Sequence, residues 1–250
     1  MRVQVLIAVC LVLLLIVANV RGDEVSTAPL FEVRPSGLLT TRLSEKELEK
    51  WAAIERIVFA EDSNQQSLHP TLRSLWEWIE TSGHTVYVEF VQTGKVSTCT
   101  AGLFLVEQFD PRGERHIAVI KLNLANINQA YVGPGTRRQN GFVPFLGLER
   151  EERYAEVLGH ELAHAAHILT NLERTRKVED IVQQTNQILL SQHRRRPGMG
   201  LAPELKRRLS KRDIFLKELE EQAEAMEKVV WEELAARKPE KAKLLYLVNK

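Results

Sequence analysis

"YAEVLGHELAHAAHIL", Tyr154 to Leu169, sets three imidazoles and a glutamate among small and apolar residues, and from Val157 to Leu169 Glu161 is the one acidic or basic residue besides the histidines. A solvated helix would carry more charge than this, and a plain core helix has no use for so many polar rings. The stretch predicts a helix over roughly 148–169. On it His160 and His164 stand about 40° apart around the axis and ~6 Å apart along it. Each can aim one ring nitrogen at a single ion. Glu161 is rotated toward the side where a bound water would lie. Two ligands and a general base carried by one helical turn are the mechanical content of the HExxH pattern. His167 shares the face of His160 but lies ~10 Å further along. Position 170 is Thr170 and position 171 is Asn171, so no HExxHxxGxxH extension follows. His167 is expected to be a core or supporting histidine, not a ligand.

A catalytic zinc needs a third protein ligand and an open fourth position. Downstream, "SKRDIFLKELEEQAEAMEKVVWEEL" reads as a long helix ending before Pro239. Its apolar seam is read through Leu216, Leu219, Ala223, Met226 and Val230. Glu220 lies about 40° from Leu216, at the margin of that seam. Glu221 and Glu232 point further away. Glu220 is therefore the favoured carboxylate, with Glu221 and Glu224 as the alternatives.

Upstream, "SEKE" places Ser44 three residues before Glu47, a capping box that starts a helix carrying Trp51, Ile54, Ile57 and Val58 at helical spacing. A second helix follows Pro70, with Leu72, Leu75, Trp76 and Ile79 on one side, and ends near "TSG". From Thr85 the period changes. "TVYVEFV", "TAGLFLVE" and "RHIAVIKLNL" are strand-like runs separated by turn chemistry at "QTGK" and "DPRGE". Their order and short connections suggest an antiparallel meander, the third strand having one wet face through Ile117, Val119, Lys121 and Asn123. The Gly- and Pro-rich "YVGPGTRRQNGFVPFLG" must be a loop, and a further helix is expected over roughly 172–192. Helices, then a sheet, then helices give an α+β fold.

The N-terminus has its own logic. Arg2 precedes "VQVLIAVCLVLLLIVANV", followed by "RGDE". The apolar core of about 16 residues is shorter than the ~20 a membrane span needs. Residues 1–22 read as a signal peptide, 23–43 as an extended leader and 44–250 as the functional domain. The mature chain is thus expected to be secreted, periplasmic or otherwise extracytoplasmic, without stable membrane insertion. The alternative is a chain anchored by an uncleaved N-terminal segment. The mature portion then holds only Cys99, which excludes an intrachain disulfide scaffold. With 44% apolar and 27% charged residues the 250-residue chain can bury a core, and its formal charge of +1 does not suggest a nucleic-acid binder. The basic run His193–Arg196 reads as a solvated loop or helix end.

"VLGHELAHA" followed by "ELEEQAEA" resembles the gluzincin branch of zinc metallopeptidases, the thermolysin-like arrangement in which a glutamate on a later helix completes HExxH. The resemblance implies a zincin-like fold and one Zn²⁺ per chain held by His160, His164 and Glu220. It also implies a metal-bound water activated by Glu161 for hydrolysis of a peptide or protein substrate. By position Ala223 matches the family's small residue, and Glu224 the aspartate that steadies a ligand histidine. That acid is one methylene longer here. The resemblance further implies a substrate-binding edge strand, expected to be "RHIAVIKLNL". Tyr154, His193 and Tyr246 are the candidates for stabilising an oxyanion. The rival expectation is a zincin-like binding or structural module without peptidase activity.

Overall fold

The computed structural model describes residues 36–91, 101–129 (apart from 111 and 113), 145–171 and 203–236, with scattered positions between 173 and 183 and Lys238. For 203–212 only the backbone course is described. The described elements run β1 (Gly37–Leu39), α1 (Glu45–Val58), α2 (Pro70–Thr81), β2 (Thr85–Val91), β3 (Gly102–Gln108), β4 (Ile117–Asn123), α3 (Leu124–Asn128), α4 (Arg150–Leu169) and α5 (Pro203–Ala235). The molecule is mixed α/β, with five helices and a small four-stranded sheet among the described residues.

Local chemistry explains the first elements. The Ser44 N–H and O–H both donate to the Glu47 carboxylate, at 2.8 and 2.6 Å, and start α1 where the capping box indicated. Pro70 occupies the first turn of α2, where its missing N–H costs nothing. Beyond α2, Gly83 turns the chain into β2 with φ of +79°, a left-handed conformation that favours glycine.

The sheet order is β1-β2-β4-β3. β1 with β2 and β2 with β4 are parallel, while β3 with β4 is antiparallel. The antiparallel meander is therefore corrected: β4 inserts between β2 and β3, and the antiparallel pairing is confined to one edge. Part of the stretch read as an extended leader is a strand. Residues 37–39 form a strand whose Leu38 N–H is capped from outside by the Glu80 carboxylate at 3.1 Å. A side chain takes the hydrogen bond that a further strand would need, which blunts this edge.

One face of the sheet packs on the helices. Val86, Val88, Phe90, Phe104, Ala118, Ile120 and Leu122 meet Ile54, Leu72, Ile79, Leu158 and Leu162 in the main core. Full burial of such side chains contributes roughly 1.5–3 kcal/mol each. On the opposite face Val91, Leu103, Leu105 and Val119 form a second cluster with Tyr87. Below it Arg42 joins Glu89 and Glu107 at 2.7 and 2.8 Å, and Lys121 reaches Glu89 at 3.4 Å. The wet face expected for β4 is thus only partly wet, since Val119 and Asn123 are fully buried.

α4 crosses beneath the sheet and lies along α5. Gly159 makes that crossing close: a Cβ there would come within 3.1 Å of Val230 and 3.3 Å of Leu72. The buried seam of α5 runs through Phe215, Leu219, Ala223, Glu227, Val230, Trp231 and Leu234. Leu216 and Met226, placed on the seam by spacing, are only half-buried. The approach to α4 is pinned twice. Phe145 N–H donates to the buried Glu156 carboxylate at 3.1 Å, and the Trp231 ring N–H donates to the Leu146 carbonyl at 3.0 Å.

Of the helix expected over 172–192, the described positions between 173 and 183 are helical. The signal segment, most of the leader, Cys99, the bulk of the Gly/Pro loop, His193 and Tyr246 lie outside the described residues. Among the described residues no helix is long and apolar enough to cross a membrane.

Candidate metal centre

Three side chains from two helices converge near the start of β3. α4 supplies His160 and His164, and α5 supplies Glu220; one ligand atom from each lies within 4.8 Å of the others. The His160 and His164 Nε2 atoms are 3.1 Å apart. Glu220 Oε2 is 3.3 Å from His164 Nε2, and Glu220 Oε1 is 3.6 Å from His160 Nε2. A tetrahedral ion with bonds of about 2.0–2.1 Å has ligand atoms ~3.3 Å apart. The observed spacings bracket that edge, so the three residues could hold a metal ion.

The charges point the same way. Two ring nitrogens aimed at each other need a proton or a cation between them. Burial alone would push the His160 imidazole down, but the carboxylates of Glu227 and Glu220 override it and push it up to about 10. Glu161 is 4% exposed, and burial pushes its carboxyl up despite the neighbouring imidazoles. Without a cation, such a cluster balances its carboxylates only by holding protons. A divalent ion would replace them.

Glu227 is the residue that sequence reasoning missed. It is 4% exposed, and its Oε2 lies 3.0 Å from His160 Nδ1. With Nδ1–H donated to that carboxylate, Nε2 is the ring nitrogen turned to the cluster. In a metal site such an outer partner fixes a ligand histidine's tautomer and raises its basicity. The acid on His160 Nδ1 comes from one helical turn beyond Glu224 along α5. A signal was available, because residue 227 falls between Ala223 and Val230 on the buried face, where an acid needs a reason.

Gly102 was also missed. At the start of β3 its backbone lies so close to α4 that a Cβ would sit 2.4 Å from Glu161 Oε1 and 2.7 Å from Val157 Cγ1. β3 is the edge strand beside the cluster. β4, expected in that role, is interior because β3 covers its outer side. Asn123 N–H donates to the Ala101 carbonyl at 2.8 Å, which makes Ala101 and Asn123 a hydrogen-bonded pair. By alternation the main-chain groups of Gly102 and Phe104 face away from β4, and no described strand pairs there.

His167 lies outside the convergent group. It is half-buried, and burial, aided by Arg174 and His164, holds its imidazole below the usual range. Glu221 is exposed and pairs with Lys217 at 3.1 Å. Glu232 lies 4.0 Å from Lys228. Tyr154 is buried and its hydroxyl donates to Asn128, so the structure does not bring it to the cluster. Compared with known proteins, the chain matches no family model, no curated protein and no solved structure.

Proposed function

We propose that the protein is an exported zinc-dependent peptidase with His160, His164 and Glu220 as metal ligands and Glu161 as general base. The single observation that carries this reading is the convergence of those ligand atoms at tetrahedral spacing beside a buried glutamate. Zinc is favoured over magnesium or calcium because two imidazoles and one carboxylate are a borderline-soft donor set. Bound there, the ion supplies Lewis acidity that lowers the pKa of water and polarises a carbonyl.

The chain's own residues do the rest. Glu161 takes the proton of the attacking water and returns it to the leaving amine. Its burial keeps bulk water from the carboxyl while it holds the proton between the two transfers. Glu227 keeps His160 Nε2 directed at the cluster. The outward main-chain groups of Gly102 and Phe104 suit an extended peptide added as a strand. The reading is tested by metal analysis of the purified protein together with digestion of a broad peptide library, with and without a chelator. Bound zinc with chelator-sensitive cleavage supports it. Bound metal without any cleavage favours the binding-module alternative, and absence of metal binding removes both.

A further inference from the structure

We propose that Gly102 is a positioning residue for Glu161: the space its missing side chain leaves is occupied by the carboxylate. The inference rests on Glu161 acting as the base of the proposed peptidase. Three contacts carry it. A Cβ at 102 would stand 2.4 Å from Glu161 Oε1, 2.8 Å from Glu161 Cγ and 2.7 Å from Val157 Cγ1. The second contact is decisive, because Cγ cannot swing away as a carboxylate tip can. Relieving it means rotating the whole Glu161 side chain about its first torsion, which on a packed helix leaves few rotamers.

Backbone conformation does not explain the glycine. Gly102 lies in a regular strand and is not among the residues of positive φ. Strand interiors disfavour glycine unless another group approaches closely. Here that group is Glu161. The base therefore rests directly against the edge strand, between Gly102 and the helix that carries both histidines. Its place relative to the His160–His164 pair is set by β3 as well as by α4. The three atoms nearest to such a Cβ belong to Glu161 and Val157, so the base is the first polar group displaced.

The test combines Gly102→Ala, Glu161→Ala and the double variant, each zinc-loaded. Gly102→Ala should keep zinc content and lower kcat for peptide cleavage by about 10²-fold or more, the lower end of what general acid–base help contributes, with KM little changed. In the Glu161→Ala background the same substitution should cost no further activity, because the displaced group is already gone. Thermal unfolding gives a readout independent of turnover. Gly102→Ala should lower Tm in the otherwise native chain and lower it by clearly less when Glu161 is Ala, where only the Val157 contact remains. If Gly102→Ala alone does not fold, the double variant should fold. Equal Tm losses in both backgrounds, or a kcat unchanged by Gly102→Ala, overturn the proposal. A native chain that binds zinc but cleaves no peptide removes the peptidase reading instead, and the Tm cycle then decides whether Gly102 makes room for Glu161.

Discussion

Glu227 offers the sharpest perturbation of the proposed metal centre that leaves every proposed ligand in place. Its carboxylate is almost completely buried and 3.0 Å from His160 Nδ1. Glu227→Gln keeps the size and an oxygen that can still accept from Nδ1–H, but removes the charge that makes Nε2 a stronger donor. Glu227→Ala removes the acceptor too and leaves a buried N–H unsatisfied. Loss of such an outer partner typically weakens metal affinity by about 10–100-fold, or roughly 1.4–2.8 kcal/mol at about 1.4 kcal/mol per decade. The Gln variant should fall near the lower end and the Ala variant near the upper. An unsatisfied buried donor also costs about 1–3 kcal/mol of folding stability, so Glu227→Ala should unfold earlier than Glu227→Gln. Competition titration of zinc against a chelator of known affinity reads the first effect, and urea unfolding reads the second. Glu224→Ala is the control and should cost less affinity than either. If Glu224→Ala weakens zinc binding more than Glu227→Ala does, the assignment of the outer carboxylate is wrong.

His160→Ala and His164→Ala should each abolish stoichiometric zinc binding and Glu220→Ala should weaken it, whereas His167→Ala should retain most of it; metal analysis after gel filtration checks all four, and equal loss at His167 would contradict the ligand set. A pH effect should arise away from the metal. His84 and His116 stack with ring centroids 5.1 Å apart, and the His116 N–H donates to His84 Nδ1 at 3.2 Å. Burial holds both imidazoles below the usual range. The unfolded chain, with imidazoles near the ordinary ~6.5, then binds more protons than the folded one. The stability this pair contributes is complete above about pH 6.5 and is lost as pH falls through that value toward the lowered folded pKa. Metal-free His116→Gln should therefore show a shallower fall of Tm between about pH 7 and 5 than the metal-free native chain, and parallel curves would show that the pair does not titrate as described.

What could be read from the residues, and what could not, divides by range of interaction. The capping box at Ser44, the Pro70 start and the β2 run Thr85–Val91 are local, and the structure has them as read. HExxH is local too, because one helical turn fixes both histidines and the glutamate. Strand order is not local. Nothing in the linear pattern says that β4 slides between β2 and β3, so the meander and the choice of edge strand failed together. β1 is three residues long and shows no alternation that could separate it from a leader. On α5 a seam placed about one residue off put Met226 where Glu227 belongs, and this hid the acid behind His160. Gly102 had no sequence signal at all, since its meaning depends on a helix that arrives some 60 residues later in the chain.

The most direct measurement compares the native chain with Glu161→Gln, both purified with bound zinc and both given the same peptide library. The two proteins should carry equal metal, about one zinc per chain, and unfold at similar temperatures. Only the native chain should cleave, with the variant slower by about 10²–10⁴-fold. Cleavage by Glu161→Gln at the native rate, or a zinc-loaded native chain that cleaves nothing, would contradict a peptidase whose base is Glu161.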